Sequence, residues 1–142
     1  MKNIIFLFLI WSPLFGQQKN NEIIKFAGIY ETKCEFVQDD EEGGKSFLRF
    51  YPDKKVISVG TDCDATAENL KDWFNLKMES LSVGSYKIKG KRISFSTTSV
   101  SGTVNYKGHI TKKGALKFKI KSLINGYKSR EVYQFINVAD LK

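Results

Sequence analysis

Between Ala115 and Ser122 the chain reads Ala-Leu-Lys-Phe-Lys-Ile-Lys-Ser. Leu116, Phe118 and Ile120 fall on one side of an extended backbone, and Lys117, Lys119 and Lys121 fall on the other. Side chains alternate across a strand, so a period of two specifies a β-strand with one apolar face and one solvated face. The same alternation recurs along most of the chain, punctuated by turn residues. It predicts an all-β fold.

The strands can be placed from that rhythm. Residues 26–37 read as the first, with Tyr30, Thr32, Cys34 and Phe36 on one face. Residues 46–51 and 55–60 follow, joined by the turn Pro52-Asp53-Lys54. Val56, Ile57 and Val59 in the third strand imply burial on both faces near one end. The period then changes. Ala67, Leu70, Trp73 and Phe74 recur at helical spacing, which predicts one short helix near residues 65–76, with Asp64 or Thr66 as its cap. An amphipathic helix must lie on something, and the open end of a barrel is the expected place. Alternation resumes over 82–89, 92–98, 102–110, 116–123 and 127–138. Gly90-Lys91, Lys112-Lys113-Gly114 and Asn125-Gly126 separate these strands, the last as a type I′ hairpin signal. The final strand is not cleanly alternating, so both its faces are expected to be covered. About eight strands in sequence order make an antiparallel up-and-down meander. Closing it into a barrel removes both edges; a two-sheet sandwich is the competing arrangement.

The start of the chain carries an address. Met1-Lys2-Asn3 precedes an unbroken apolar run over 4–10 and a break over 11–16, the outline of a secretory signal peptide at 1–16. The run falls short of the roughly 20 residues that a permanent span needs. No cysteine follows it, so no lipoprotein anchor is expected. The protein is therefore expected to be exported, to a periplasm or beyond the cell. Residues 17–25 form a polar, flexible lead, 26–138 the barrel domain and 139–142 a tail. Cys34 and Cys63 are the only cysteines, and an even count in an exported chain predicts a disulfide. With strands one to three running up, down and up, both cysteines fall at the same end of the barrel.

Chemistry is sparse. Leaving Lys2 aside, about 22 basic residues stand against 15 acidic ones, a net charge near +7. The lysines are spread over many strands with no dense arginine cluster, so a solvated positive exterior is expected and no nucleic-acid partner. His109 is the only histidine and falls on the solvent face of its strand, with no second half of a catalytic pair. Two cysteines and one histidine make no structural zinc site. The acidic run 39–42 lacks the ligand spacing of a calcium loop. Gly43-Gly44 lacks the Lys-Ser/Thr and helix of a phosphate loop. Neither enzyme activity nor a cofactor is expected.

Gly28-Ile29-Tyr30 opens the first strand and Arg130 lies in the last. This resembles the lipocalin/calycin arrangement, in which Gly-x-Trp opens the first strand and a late basic residue packs over the aromatic. Here Tyr30 replaces the Trp. The resemblance implies a meander barrel holding an apolar ligand, with Tyr30 and Arg130 as a barrel-closing pair. Tyr86, Phe95, Tyr106 and Phe118 are then the expected cavity wall, and Trp73 and Phe74 the lid. Eight strands leave an interior that side chains can also fill. Two functions follow: binding of a small hydrophobic molecule in the barrel, or a side-chain-filled barrel acting as an interaction or inhibitor module on an envelope protein.

Overall fold

The computed structural model describes residues 23–36 and 43–141. The expected signal segment, most of the polar lead and the acidic run 39–42 lie outside the described residues. Eight strands form one closed barrel in sequence order. They are β1 (Gly28–Glu31), β2 (Lys45–Phe50), β3 (Lys55–Thr61), β4 (Ser82–Lys89), β5 (Arg92–Ser99), β6 (Gly102–Ile110), β7 (Leu116–Ser122) and β8 (Lys128–Asn137). Every neighbouring pair is antiparallel, and β1 closes the ring by pairing Tyr30 with Leu48 on one side and with Phe135 on the other. The open-edged sandwich is thereby excluded, and no strand edge is left to template association.

The alternation builds two cores rather than one. Residues of one parity point inward: Tyr30, Leu48, Phe50, Val56, Tyr86, Phe95, Tyr106, Phe118 and Tyr133 form a cluster inside the barrel. On β1, β2 and β3 the opposite parity is also apolar. Ile29, Phe47, Ile57 and Val59 face outward and form a second cluster with Ala67, Leu70, Phe74 and Leu81. This explains the two-faced third strand. It also corrects the position of the helix. Its chain position is as expected, with α1 at Ala67–Leu70 continued by a 3₁₀ turn at Lys71–Trp73. In space it lies against the outer wall of β1–β3 and does not cross the open end. The apolar stripe goes where unpaired apolar surface is largest, and each large side chain buried there contributes about 1.5–3 kcal/mol. Thr66 is the cap: its hydroxyl accepts from the Asn69 amide and the Asn69 side chain accepts from the Thr66 amide, a reciprocal capping box.

Four further differences are local. The first strand is shorter than 26–37, because beyond Thr32, whose amide still donates to the Ser46 carbonyl, the backbone leaves the ladder and rejoins it only at the Glu35–Gly44 bridge. Cys34 lies within that departure, tied to Cys63 with a Cα separation of 5.3 Å. Residues 17–25 are not uniformly loose. Ile24 is 2% exposed and enters the interior cluster, sealing the end of the barrel opposite the disulfide. Asn125-Gly126 does not make a two-residue type I′ turn. Pairing stops at Lys121–Lys128, only Gly126 takes positive φ, and the Asn125 side chain accepts from the Tyr127 amide at 3.0 Å. That side-chain bond holds Asn125 in an Asx turn and widens the loop. Finally, the outer face of β8 is open among the described residues, with Val132 42% and Ile136 37% exposed.

Candidate binding surface

Two places can carry function: the lumen and the outer wall. The lumen is threaded by aromatic contacts. Phe95 on β5 stacks on Tyr106 of β6 with ring centroids 4.4 Å apart, and meets Phe118 of β7 edge-on at 5.4 Å. It also reaches Phe50 on β2, across the barrel, at 5.7 Å. Phe50 continues to Tyr86 and Tyr30, and Phe118 to Tyr133. These are favourable edge-to-face and offset geometries. Gly108 stands opposite Phe118 in register, and a Cβ there would collide with the Lys117 carbonyl oxygen and lie 2.8 Å from the Phe118 ring, so the β7 backbone and that ring already occupy the space a side chain would need.

The end near the disulfide is polar. Ser58 and Tyr106 share a hydrogen bond of 3.0 Å across the lumen, between β3 and β6. The Tyr133 hydroxyl donates to Glu131 Oε2 at 3.0 Å. Burial pushes the Glu131 carboxyl above its ordinary range, and the nearby Glu35 carboxylate adds to this. Burial likewise raises the Tyr106 and Tyr133 hydroxyls. Thr97 is fully buried. Its Oγ1 influences the Tyr106 hydroxyl but makes no hydrogen bond of good geometry. A recess of about 450 Å³ opens here, lined by Thr32, Ser46, Gly60, Tyr127 and Glu131 among others. The other end is closed by Ile24 and by the Lys25 amide, which donates to the Tyr30 hydroxyl at 3.0 Å.

The outer wall of β6–β8 has one sign of charge. Register places Lys107 opposite Lys119, and Lys119 opposite Arg130. Lys121 faces Lys128, and His109 faces Lys117 and Arg92. Glu131 belongs to the inward parity, opposite Phe118, so no outward position on these three strands is acidic. Grooves of about 520 and 680 Å³ run between these side chains. The two ion pairs among the described residues, Lys45–Glu31 and Lys71–Glu68, lie elsewhere. Like charges directly opposed in a sheet are destabilising by a few tenths to about 1 kcal/mol per pair. Such a row is most stable with an anion upon it.

The expected site residues divide accordingly. The structure brings Tyr86, Phe95, Tyr106 and Phe118 together inside the barrel, but against one another. Phe74 is 1% exposed in the outer cluster and Trp73 is 53% exposed, so neither covers a mouth. The Phe74 carbonyl is held by Arg49 Nη1 and by the Tyr51 hydroxyl, each donating at 2.8 Å. Tyr30 and Arg130 are not paired. Tyr30 packs inside against Phe50 and Phe135, while Arg130 is exposed on the outer wall opposite Lys119. The cation at the sealed end is Lys25, whose ammonium stands 5.0 Å from the centre of the Phe135 ring. His109 is exposed on the basic wall.

Among the described residues no group of three or more His, Cys, Asp or Glu side chains could hold a metal, and no helix is long and apolar enough to cross a membrane. Fold and surface define a class: a closed, eight-stranded antiparallel meander barrel, consistent with a calycin-like fold, with a basic wall on one side. No protein-family model matches the chain, and no characterised protein matches it in sequence.

Proposed function

We propose that this chain is an exported, lipocalin-like barrel that acts as a non-catalytic binding module of the cell envelope, through its exterior rather than its lumen. The observation that carries the reading is the chain of ring contacts from Tyr30 through Phe50, Phe95 and Phe118 to Tyr133, which spans the lumen from wall to wall. A hydrophobic guest there would have to part rings already at contact distance. The basic wall of β6–β8 then supplies the contact, and its partner is anionic. Affinity through such a wall falls as salt rises.

A second reading, a small hydrophobic molecule inside the barrel, is favoured by the aromatic lining and by the recess above Glu131. It requires that recess to extend downward by displacement of Tyr106 and Phe118. Native mass spectrometry of the purified chain separates the two. The exterior reading expects the bare polypeptide mass and no uptake of a fluorescent fatty acid. Stoichiometric co-purified lipid would overturn it.

A further inference from the structure

We infer that the barrel docks on an anionic lipid surface by the β6–β8 side of its disulfide end, with two hairpin tips entering the headgroup layer and the basic wall beside them meeting the lipid phosphates. This names the partner for the exterior-acting module proposed above and rests on that reading.

Large apolar side chains are exposed at this end in a concentrated way. Val100, in the turn between β5 and β6, is 97% exposed. Leu123, Ile124 and Tyr127, in the loop between β7 and β8, are 56%, 51% and 62% exposed. The two tips touch: a Cβ placed on Gly102 would lie 2.8 Å from Ile124 Cγ1. Both tips are tied to the ladder, the first by the Ser99–Gly102 pairing across its turn. The Leu123 amide donates to the Thr103 carbonyl, the Gly126 amide to Ser122 and the Ser122 amide to Tyr127, each at 2.9 Å. The display is therefore built into the backbone. The turns at the sealed end, Pro52-Asp53-Lys54, Gly90-Lys91 and Lys112-Lys113-Gly114, show no large exposed apolar side chain.

Charge lies beside the tips on β6, β7 and β8. Lys121 and Lys128 face each other at the base of the β7–β8 tip, and Lys107, Lys119 and Arg130 form the next row, about 7 Å further down. A bilayer offers an apolar interior beneath an anionic layer within one such distance, and basic residues near it are attracted additively. Protruding aliphatic tips fit a deformable interface. A folded acidic protein would need a matching pocket for each of them. The Tyr127 ring has the apolar body and polar end that favour the headgroup level. The wall is also mainly lysine, a point charge suited to a diffuse anionic surface rather than to bidentate recognition of one carboxylate.

The test is co-sedimentation of the purified chain with vesicles of equimolar phosphatidylglycerol and phosphatidylcholine, and with phosphatidylcholine alone. Binding is expected to the first and not the second, and to fall with added salt. Leu123→Ser with Ile124→Ser changes only exposed positions and should weaken it roughly tenfold. Lys119→Gln with Lys121→Gln and Lys128→Gln should weaken it and flatten the salt dependence. Far-UV circular dichroism checks that both variants remain folded. No binding to the anionic vesicles, or equal binding to both vesicle types, overturns the inference. So does capture of polyglutamate by wild type and tip variant alike without vesicle binding, which would point to an acidic protein. A bare polypeptide mass alongside absent vesicle binding would sink the docking alone and leave the exterior reading standing.

Discussion

Phe95→Ala probes whether the barrel is filled. Phe95 is 6% exposed and contacts three other rings, one stacked at 4.4 Å and two edge-on at 5.4 and 5.7 Å. Removing a buried phenyl ring costs about 3–5 kcal/mol when its surroundings cannot collapse onto the space. Collapse is hindered here because the neighbouring rings sit on three separate strands of a closed ladder. Each lost ring pair is worth about 0.5–1.5 kcal/mol on its own, so the upper part of that range is expected. With a urea slope of about 1–3 kcal/mol per molar, the unfolding midpoint should fall by about 1.3–5 M. The void would be dry and aromatic-lined, so the variant should also gain affinity for benzene or indole, which the wild type lacks. Urea denaturation followed by circular dichroism, and ligand-observed NMR with indole, read the two effects. A cost below about 1 kcal/mol, or equal indole binding by wild type, would show that Phe95 lines free space and that the packing argument is wrong.

Other outcomes follow from particular contacts. Cys34→Ser should cost about 3.5 kcal/mol, because the bridge closes a sequence separation of 29 residues and its main effect is on the unfolded chain; non-reducing urea melts of both forms measure it. Among the described residues the buried Arg49 has no carboxylate partner, and its Nε is unpaired. Arg49→Met should therefore change stability by less than about 1 kcal/mol while the Tyr51 hydroxyl still serves the Phe74 carbonyl, whereas adding Tyr51→Phe orphans that carbonyl and should cost about 2–3 kcal/mol more. Glu131 has its folded-state pKa raised above the ordinary 4.5, so the native state holds that proton more tightly than the unfolded chain. Its contribution is full below that ordinary value and is lost as pH rises through the raised one. Glu131→Gln should remove this downward slope, seen as thermal midpoints that no longer decline across the window.

Much of the architecture is legible in the sequence because period-two alternation depends only on local geometry. Leu116–Ser122 cannot bury Leu116, Phe118 and Ile120 together in any other way. The turn at Gly90-Lys91 is equally local, and Gly90 takes its positive φ. What fails is what depends on distant partners. The helix stripe of Ala67, Leu70 and Phe74 is plain, but its seat is the outward parity of β1–β3, which only pairing reveals. Ile57 and Val59 in an otherwise alternating strand were the available signal. Tyr133 and Phe50 complete the ring network, yet each adjoins apolar or aromatic residues that obscure its parity. The row Lys107–Lys119–Arg130 is scattered over 24 positions of sequence and becomes one surface only through the register of three strands. The Tyr30–Arg130 pairing failed for a related reason. Arg130 lies five residues from Phe135, the residue opposite Tyr30, and on the outward parity.

Whether anything but side chains occupies the barrel can be seen directly by pressurising crystals of the wild-type protein with xenon and mapping the anomalous signal. The space between Phe50, Phe95 and Phe118 should hold no xenon, while crystals of Phe95→Ala should show one site there. A wild-type xenon peak in that space, or continuous lipid-like density running past Tyr106, would mean that the interior is a cavity and that the exterior is not where this protein works.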